Sequence, residues 1–498
     1  DQKDDPKYRN HYGWAYYERK ITVPSYLKGQ RLVLRFDAVT HAAKVYLNGR
    51  FLTAHKGGFL PFEVDVTDQL VPGETAELVV AADNRVNHST LPVGNEGSTA
   101  FFGSDNPGVP SVEAAKVWRK PQNLPNFDFF NYAGINRPVR IYTTPAAYID
   151  DITLVPDIDG DTGVVNYEIK TAGSVCEDEV RIRILDADGN EVAAADGAGG
   201  TVRIPDARLW WPWPGEPYLY TASVTYGEDL YEETFGIRTV AVEGTQFLIN
   251  GKPFYFKGFG KHEDAAFRGR GLDVCLDVKD INLIHWLNAN SFRTSHYPYA
   301  EEMYQLCDRE GIVVIDETPA VGIGAGDKID PYKTFHIREH HEQVLREMIA
   351  RDKNHPCVVM WSMGNEPDTE HFPESAYDYW HSLYELTHSL DPADRPVTFV
   401  CCQNNYERDL VTRTMDVVCV NNLSGDLDAA CYALNMELDF WEKQNKPVMI
   451  TEYGADAVAG IHESVPEMFS EEFQKEYYRR QNAEFDKRSF FIGEQVWN

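Results

Sequence analysis

The stretch Val358-Val-Met-Trp-Ser-Met-Gly-Asn-Glu-Pro-Asp368 decides how this chain reads. An apolar run ends in Trp361, then passes through small residues to an Asn365-Glu366-Pro367 corner. The run reads as a buried strand and the corner as its exposed end. Pro447-Val-Met-Ile-Thr-Glu452-Tyr-Gly454 has the same form. Two apolar strands thus each deliver a glutamate at the carboxyl end, where a β/α barrel keeps its chemistry. Two carboxylates facing one sugar are the minimum equipment for cleaving a glycosidic bond. The competing reading makes both of them solvated loop acids, the ordinary place for glutamate. The 78 acidic residues make such a coincidence cheap.

Working outward, strand-like runs alternate with helical ones from residue 241 onward. The runs are Phe254–Gly260, Asn290–Ser295, Ile312–Glu317, Val358–Trp361, Pro396–Val400, Asp416–Val420, Val448–Thr451 and Phe490–Val496. Helical candidates such as Ala300–Arg309 and Phe473–Phe485 lie between them. Eight such units in a segment of this length are the arithmetic of a closed (β/α)8 barrel over residues 241–498. Glu366 then ends the fourth strand and Glu452 the seventh, on one rim.

The first part of the chain follows another grammar. Residues 1–145 read as a β-sandwich, with short β-rich pieces at Arg31–Phe36, Ala43–Leu47, Gly58–Val66 and Ala76–Ala82. Asn48-Gly49 supplies a hairpin turn. A long irregular tract over 86–138, rich in Gly, Pro, Asn and Phe, is of the kind that often carries function. Its end crowds aromatics around Asp128, and composition alone favours a packed anchor between domains over a sugar contact. Residues 146–240 read as a second, smaller sandwich, in which Val165–Lys170 and Val180–Leu185 alternate. Trp210-Trp-Pro-Trp213 offers a sugar-stacking platform on paper, but the prolines at 212 and 214 favour a rigid edge or linker anchor.

The whole chain of 498 residues is too long for one core and implies two to four domains. Its hydrophobic content of 43% excludes a disordered chain. A formal charge of −31 argues against nucleic acid and anionic membranes as partners. No run of 18 apolar residues exists to span a bilayer. The eight cysteines read as free thiols of a reducing, cytoplasmic compartment. Both ends read as cut, so the sequence is expected to be part of a longer enzyme. His336-Ile-Arg-Glu-His340 fits an inverted zinc-binding pattern, which would set two histidines one helical turn apart. The charged run after it favours a solvated helix face instead. Ser295-His296 lacks the glycine-flanked serine of a hydrolase elbow, and no glycine-rich dinucleotide or phosphate loop occurs.

Beyond the two glutamates, the sequence resembles the β-glucuronidases of glycoside hydrolase family 2, most of all the gut-bacterial type. The resemblance rests on Leu34–His41, Asp128–Gly134, Phe254–Asp264, Arg293–Tyr299, Ile315–Thr318, Ala350–Pro356, Trp361–Asp368, Thr451–Gly454 and Gly493–Asn498. It implies a jelly-roll-like sugar-binding domain, an immunoglobulin-like sandwich and a (β/α)8 barrel. It implies a retaining hydrolase with Glu366 as acid/base and Glu452 as nucleophile, protonated and ionised respectively at neutral pH. Asn365 would bind the hydroxyl next to the reacting carbon, Asp128 and His296 other ring hydroxyls, and Trp497 would floor the pocket. It implies no cofactor and no metal, a terminal β-D-glucuronide of a drug, steroid, xenobiotic or glycan as substrate, and a homo-oligomer, tetramer or dimer. Three departures stand out. Val420-Asn-Asn-Leu-Ser-Gly-Asp426 reads as the family's tyrosine-bearing segment with about six residues missing between Asn421 and Asn422. The loop near Gly322 is short, and the Asn-x-Lys pair that holds the uronate carboxylate in the family lies beyond Asn498. A related β-galacturonidase or β-galactosidase shares the glutamates and is the alternative. A non-catalytic carbohydrate-binding protein is the remote one, because a binding module has no use for two opposed acids in a barrel.

Overall fold

The computed structural model describes residues 11–94, 129–402, 405–422 and 427–497. Eight parallel strands close into a barrel in sequence order: β1 (Phe256–Lys261), β2 (Ser291–Thr294), β3 (Val313–Glu317), β4 (Val358–Asn365), β5 (Val397–Cys401), β6 (Val418–Asn422), β7 (Val448–Tyr453) and β8 (Phe491–Trp497). The seam pairs Phe256 with Gly493 and Gly260 with Trp497. Every residue of β3, β4 and β7 is buried, because side chains inside the barrel and helices outside cover both faces of a parallel sheet. These strands therefore appear in the sequence as apolar runs, Val313–Ile315, Val358–Trp361 and Val448–Ile450, that give way to polar residues toward the carboxyl rim. All eight expected runs become barrel strands.

Helices α1 (Val274–Trp286), α2 (Glu301–Glu310), α3 (Arg338–Asp352), α4 (Pro373–Leu390), α5 (Leu427–Glu442) and α6 (Glu471–Phe485) form the outer layer. Asp273 caps α1 by accepting from the Cys275 N–H, and Ser470 caps α6 by accepting from Phe473, each supplying a partner for an orphan amide. Helix α2 ends at Gly311 in the left-handed region (φ 72°), and a Cβ there would stand 2.9 Å from the backbone nitrogen of Trp213. The core between helices and strands is built on Trp361, Trp380 and Trp441, all fully buried.

Two β-sandwiches precede the barrel. In the first, the sheet of Trp14–Thr22, Thr75–Asp83, Ala42–Leu47 and Arg50–Lys56 accompanies a second sheet of Phe62–Asp65, Arg31–Phe36 and Val139–Thr144. Leu32, Leu34, Phe36, Val45 and Val80 belong to one core within this domain. The hairpin at Asn48-Gly49 has φ of 48° and 77°, the two left-handed residues a tight turn between twisted strands requires. In the second, the strand Thr162–Gly173 alternates buried and open residues over Val165–Ile169, as its sequence pattern implies.

The two sandwiches grip different ends of the barrel. Arg137 of the first donates to the Pro298 carbonyl and pairs with Glu263 at 3.0 Å, and Phe59 stacks on Tyr297 at 4.7 Å. Glu263, Tyr297 and Pro298 follow β1 and β2, so this domain flanks the carboxyl rim. The second domain seats at the amino end. Arg238 donates to the carbonyls of Pro356 and Val358, and the buried Trp210 indole donates to the Asp308 carbonyl at 2.8 Å. The Trp213 ring packs against His285, and its backbone N–H donates to the Gly311 carbonyl. The tryptophan cluster is therefore a domain anchor at the end of the barrel away from the rim, which removes it as a sugar platform.

The His336–His340 string is corrected on two counts. Helix α3 begins at Arg338, so His336 precedes it and the two histidines do not share a helix. His340 and His341 are buried, not solvated, and His341 is bonded among Thr318, Tyr379 and the Met363 carbonyl. All eight cysteines are free thiols. No described helix is long and apolar enough to cross a membrane.

Candidate active site

Five of the six residues singled out in the sequence meet at the carboxyl rim. Asn365 closes β4 and Glu366 follows it, Glu452 lies in β7, His296 is two residues past β2, and Trp497 ends β8. Asp128 lies outside the described residues, as do Leu423–Asp426. Phe129, the residue after Asp128, approaches the His296 ring at 6.2 Å and Tyr297 at 5.3 Å.

Glu366 sits in the left-handed region (φ 49°), a conformation that costs a residue other than glycine about 1–3 kcal/mol. Its backbone N–H donates to the Val400 carbonyl at 2.9 Å, tying the residue just past the strand to the neighbouring β5. Asn421, at the end of β6, donates from Nδ2 to Glu366 Oε1 at 2.8 Å. The Cys402 thiol also lies against this carboxyl, and burial together with the charges of Glu366 and Glu452 pushes the thiol well up.

Glu452 is 3% exposed and is met by Arg293 Nη2 at 2.5 Å. The same guanidinium donates from Nη1 to both oxygens of Glu317, at 2.8 and 3.0 Å. His296 Nδ1 donates to Glu317 Oε1 at 2.8 Å, and Ser362 Oγ donates to Glu317 Oε2 at 2.7 Å. Arg293 Nη1 lies 3.0 Å from His296 Nδ1, but a ring nitrogen that donates to a carboxylate cannot accept from a guanidinium. Both cations therefore converge on Glu317. His296 Nε2 faces Glu452 Oε1 at 3.8 Å, and its ring stacks on Trp497 at 5.2 Å. A Cβ on Gly260 would stand 2.6 Å from the Trp497 indole, so only glycine leaves that ring its place beside β1.

The charges follow from these contacts. Burial opposes the charge on Glu317, but Arg293 and the His296 hydrogen bond outweigh it and hold the carboxyl below its usual range. Burial likewise opposes a charged His296, and the Glu317 hydrogen bond and charge reverse this and raise it. For Glu452 burial dominates and carries the carboxyl up to about 7; Arg293 and His296 oppose the rise and the Glu366 charge adds to it. The same Arg293 contact helps hold the guanidinium up against its own burial. A 2.5 Å charge-assisted bond is the geometry of an ionised carboxylate, and we take Glu452 as ionised whenever Arg293 engages it. His262, 5.4 Å from Trp497, is pushed down to about 3 by burial and by His296, so it is neutral.

Arg293, Glu317, Asn421 and Thr451 did not enter the set of site residues read from the sequence. The available signal was position: each stands at or near the carboxyl end of a barrel strand. Arg293 and Lys261 are both engaged, Arg293 by the two glutamates and Lys261 by Asp280 at 2.8 Å. Neither is left as a simple reader of a substrate carboxylate.

A pair of glutamates on the rim of a closed barrel, flanked by two sandwiches, is the arrangement of a modular glycosidase, and the comparisons agree. Residues 240–498 match the TIM barrel domain of glycosyl hydrolases family 2, residues 2–145 its sugar binding domain and residues 147–238 the family's remaining domain. The chain belongs to that family. Among solved structures it is 65% identical to a Faecalibacterium prausnitzii β-glucuronidase, with a TM-score of 0.95 over all of this chain and 84% of that one. A Bifidobacterium dentium β-glucuronidase complexed with coumarin-3-O-glucuronide is 56% identical, with a TM-score of 0.93 and the same coverage. A Paenibacillus borealis β-glucuronidase is 45% identical over all of this chain and 83% of its own length.

Proposed function

We propose that the protein hydrolyses terminal β-D-glucuronides with retention of configuration, through Glu452 as nucleophile and Glu366 as acid/base. The observation that carries this reading is the pairing of Glu452 on Arg293 with Glu366 on Asn421 at one rim, in a chain 65% identical to a β-glucuronidase. A Glu452 oxygen attacks the anomeric carbon while Glu366 gives its proton to the leaving aglycone oxygen. Water, losing a proton to Glu366, then attacks the same carbon and frees Glu452 with D-glucuronate. Arg293 and His296 stabilise the carboxylate before attack and as it leaves, which is electrostatic preorganisation around a buried side chain. Asn365, beside Glu366, takes the hydroxyl next to the reacting carbon, and Trp497 floors the sugar with His296 stacked on it. Asp128 takes a further ring hydroxyl.

The substrate class is a drug, steroid, xenobiotic or glycan glucuronide. In a chain at −31 an anionic sugar needs a local cation to be attracted. The test is parallel kinetics with p-nitrophenyl β-glucuronide, β-galacturonide, β-galactoside and β-glucoside. A kcat/KM for the glucuronide no better than for the glucoside refutes the uronate assignment, and preference for the galacturonide establishes the alternative. Glu452→Gln should abolish turnover of every glycoside. The same reading includes a homo-oligomer, tetramer or dimer, which a monomer in light scattering overturns. It also includes a cytoplasmic location, supported by eight cysteines of which none is joined in a disulfide and tested by cell fractionation.

A further inference from the structure

We infer that Asn421 is a positioning residue that selects which oxygen of Glu366 carries the transferred proton, with Thr451 fixing the direction of its amide. The inference rests on the reading of Glu366 as acid/base.

Glu366 lies beyond the end of its strand and is half-buried, so strand packing does not hold its side chain. Asn421, 7% exposed, stands across from it and donates from Nδ2 to Oε1 at 2.8 Å and to Asn365 Oδ1 at 3.4 Å. Asn365 Oδ1 also receives Arg293 Nη1 at 3.5 Å. Both hydrogens of the Asn421 amide are thus committed to oxygens. Its own Oδ1 accepts from the Thr451 hydroxyl at 2.9 Å. Turning the amide over would set Oδ1 against the Glu366 carboxylate and Asn365 Oδ1, two acceptors, and would lose the Thr451 donor. One orientation remains.

The backbone accounts for Thr451 being in reach. Along β6 and β7, Val420 pairs with Ile450 but Asn421 pairs with Glu452, so Thr451 is the extra residue of a bulge. A bulge re-aims its side chain, and here the hydroxyl points back over β6 to Asn421 Oδ1 and the Val420 carbonyl. The same irregularity that puts Glu452 level with Asn421 therefore orients the amide between the two glutamates.

The chemical consequence concerns the proton. An oxygen that accepts an N–H is the carbonyl oxygen of a protonated carboxyl, so Oε1 stays the acceptor and the acid hydrogen resides on Oε2. Without the amide the Cys402 thiol remains against the carboxyl, and a thiol is too weak a donor to fix either the hydrogen or the rotation. A proton that must be delivered to one glycosidic oxygen is then out of line for part of the time. Aglycones that leave readily need no proton and should not register the loss.

The experiment uses the full-length protein with p-nitrophenyl β-glucuronide, an activated aglycone, and methyl β-glucuronide, a poor one, and reads kcat/KM, which reports the first displacement. For Asn421→Ala the methyl glucuronide should lose roughly 100-fold and the nitrophenyl one less than about 5-fold, the scale of a misplaced general acid. Thr451→Val leaves the amide in place but releases its orientation, and should give the same selective loss at roughly 10-fold. Glu366→Gln is the reference. If it shows no dependence on the leaving group, the acid/base reading fails. If it does, while Asn421→Ala lowers both substrates equally or neither, the positioning inference fails. Should Asn421→Ala not fold, Thr451→Val decides alone, and equal losses on the two substrates overturn the inference.

Discussion

Replacing Glu317 with Gln tests the buried charge network most directly, because Glu317 itself is fully enclosed behind the rim. Its carboxylate holds two cations, Arg293 and His296, each at 2.8 Å, and takes the Ser362 hydroxyl at 2.7 Å. Glutamine keeps the volume and one carbonyl, but turns an N–H toward a cation and removes the compensating charge. Removing one partner of a buried pair costs ~3–5 kcal/mol. For a barrel of this size a loss of about 3 kcal/mol corresponds to a fall of about 6–12 °C in Tm. The pH dependence has a definite sign. His296 is raised above 6.5 in the folded protein, so its contribution is fully present below that pH and is lost as pH rises through the raised value. Glu317 is held below 4.5, so its contribution is lost only as pH falls through the lowered value. The wild type should therefore exceed the variant most at about pH 6 and by less at about pH 9, where Arg293 alone still needs Glu317. Thermal unfolding followed by near-ultraviolet circular dichroism at both pH values is the assay. A difference under about 2 °C at pH 6, below the effect of a single kcal/mol, would refute the network as a source of stability. A difference of equal size at both pH values would refute the protonated His296.

Other consequences can be checked in the same preparations. Because the Arg293 contact holds Glu452 ionised against its burial, Arg293→Met should leave the carboxyl to burial and move the acid limb of the kcat/KM profile to higher pH; an acid limb unmoved in the variant contradicts it. Gly260→Ala places a methyl 2.6 Å from the Trp497 ring, and should raise KM for p-nitrophenyl β-glucuronide about 10-fold or more through the displaced floor; an unchanged KM shows that Trp497 does not meet the sugar. Arg238→Met strips donors from the Pro356 and Val358 carbonyls at the base of the barrel, costing about 2–4 kcal/mol of stability with kcat intact in the protein that stays folded. Loss of kcat in that folded fraction would mean that the second domain acts on the rim.

The architecture was legible because its signals are local. A strand buried on both faces is apolar over most of its length, so Val358–Trp361 and Val448–Ile450 appear in the sequence as runs, and a Glu a few residues beyond such a run marks the barrel's carboxyl rim. A tight turn needs left-handed residues, so Asn48-Gly49 marks its hairpin. The partnerships within the site have no such signature. Arg293 lies 159 residues from Glu452, and Asn421 lies 55 residues from Glu366. Closure of the barrel alone brings them within hydrogen-bond reach. The histidine string after His336 resembled a ligand motif because spacing is visible in sequence, whereas the start of α3 at Arg338 and the burial of His341 are not. The sequence by itself determined the barrel strands, the Asn48-Gly49 turn and the placing of two glutamates at strand ends, since each depends on the chemistry of a few neighbouring residues. Only the tertiary structure decided that Glu452 leans on Arg293 and Glu366 on Asn421, because charge and hydrogen bonding act through space between segments the chain keeps far apart.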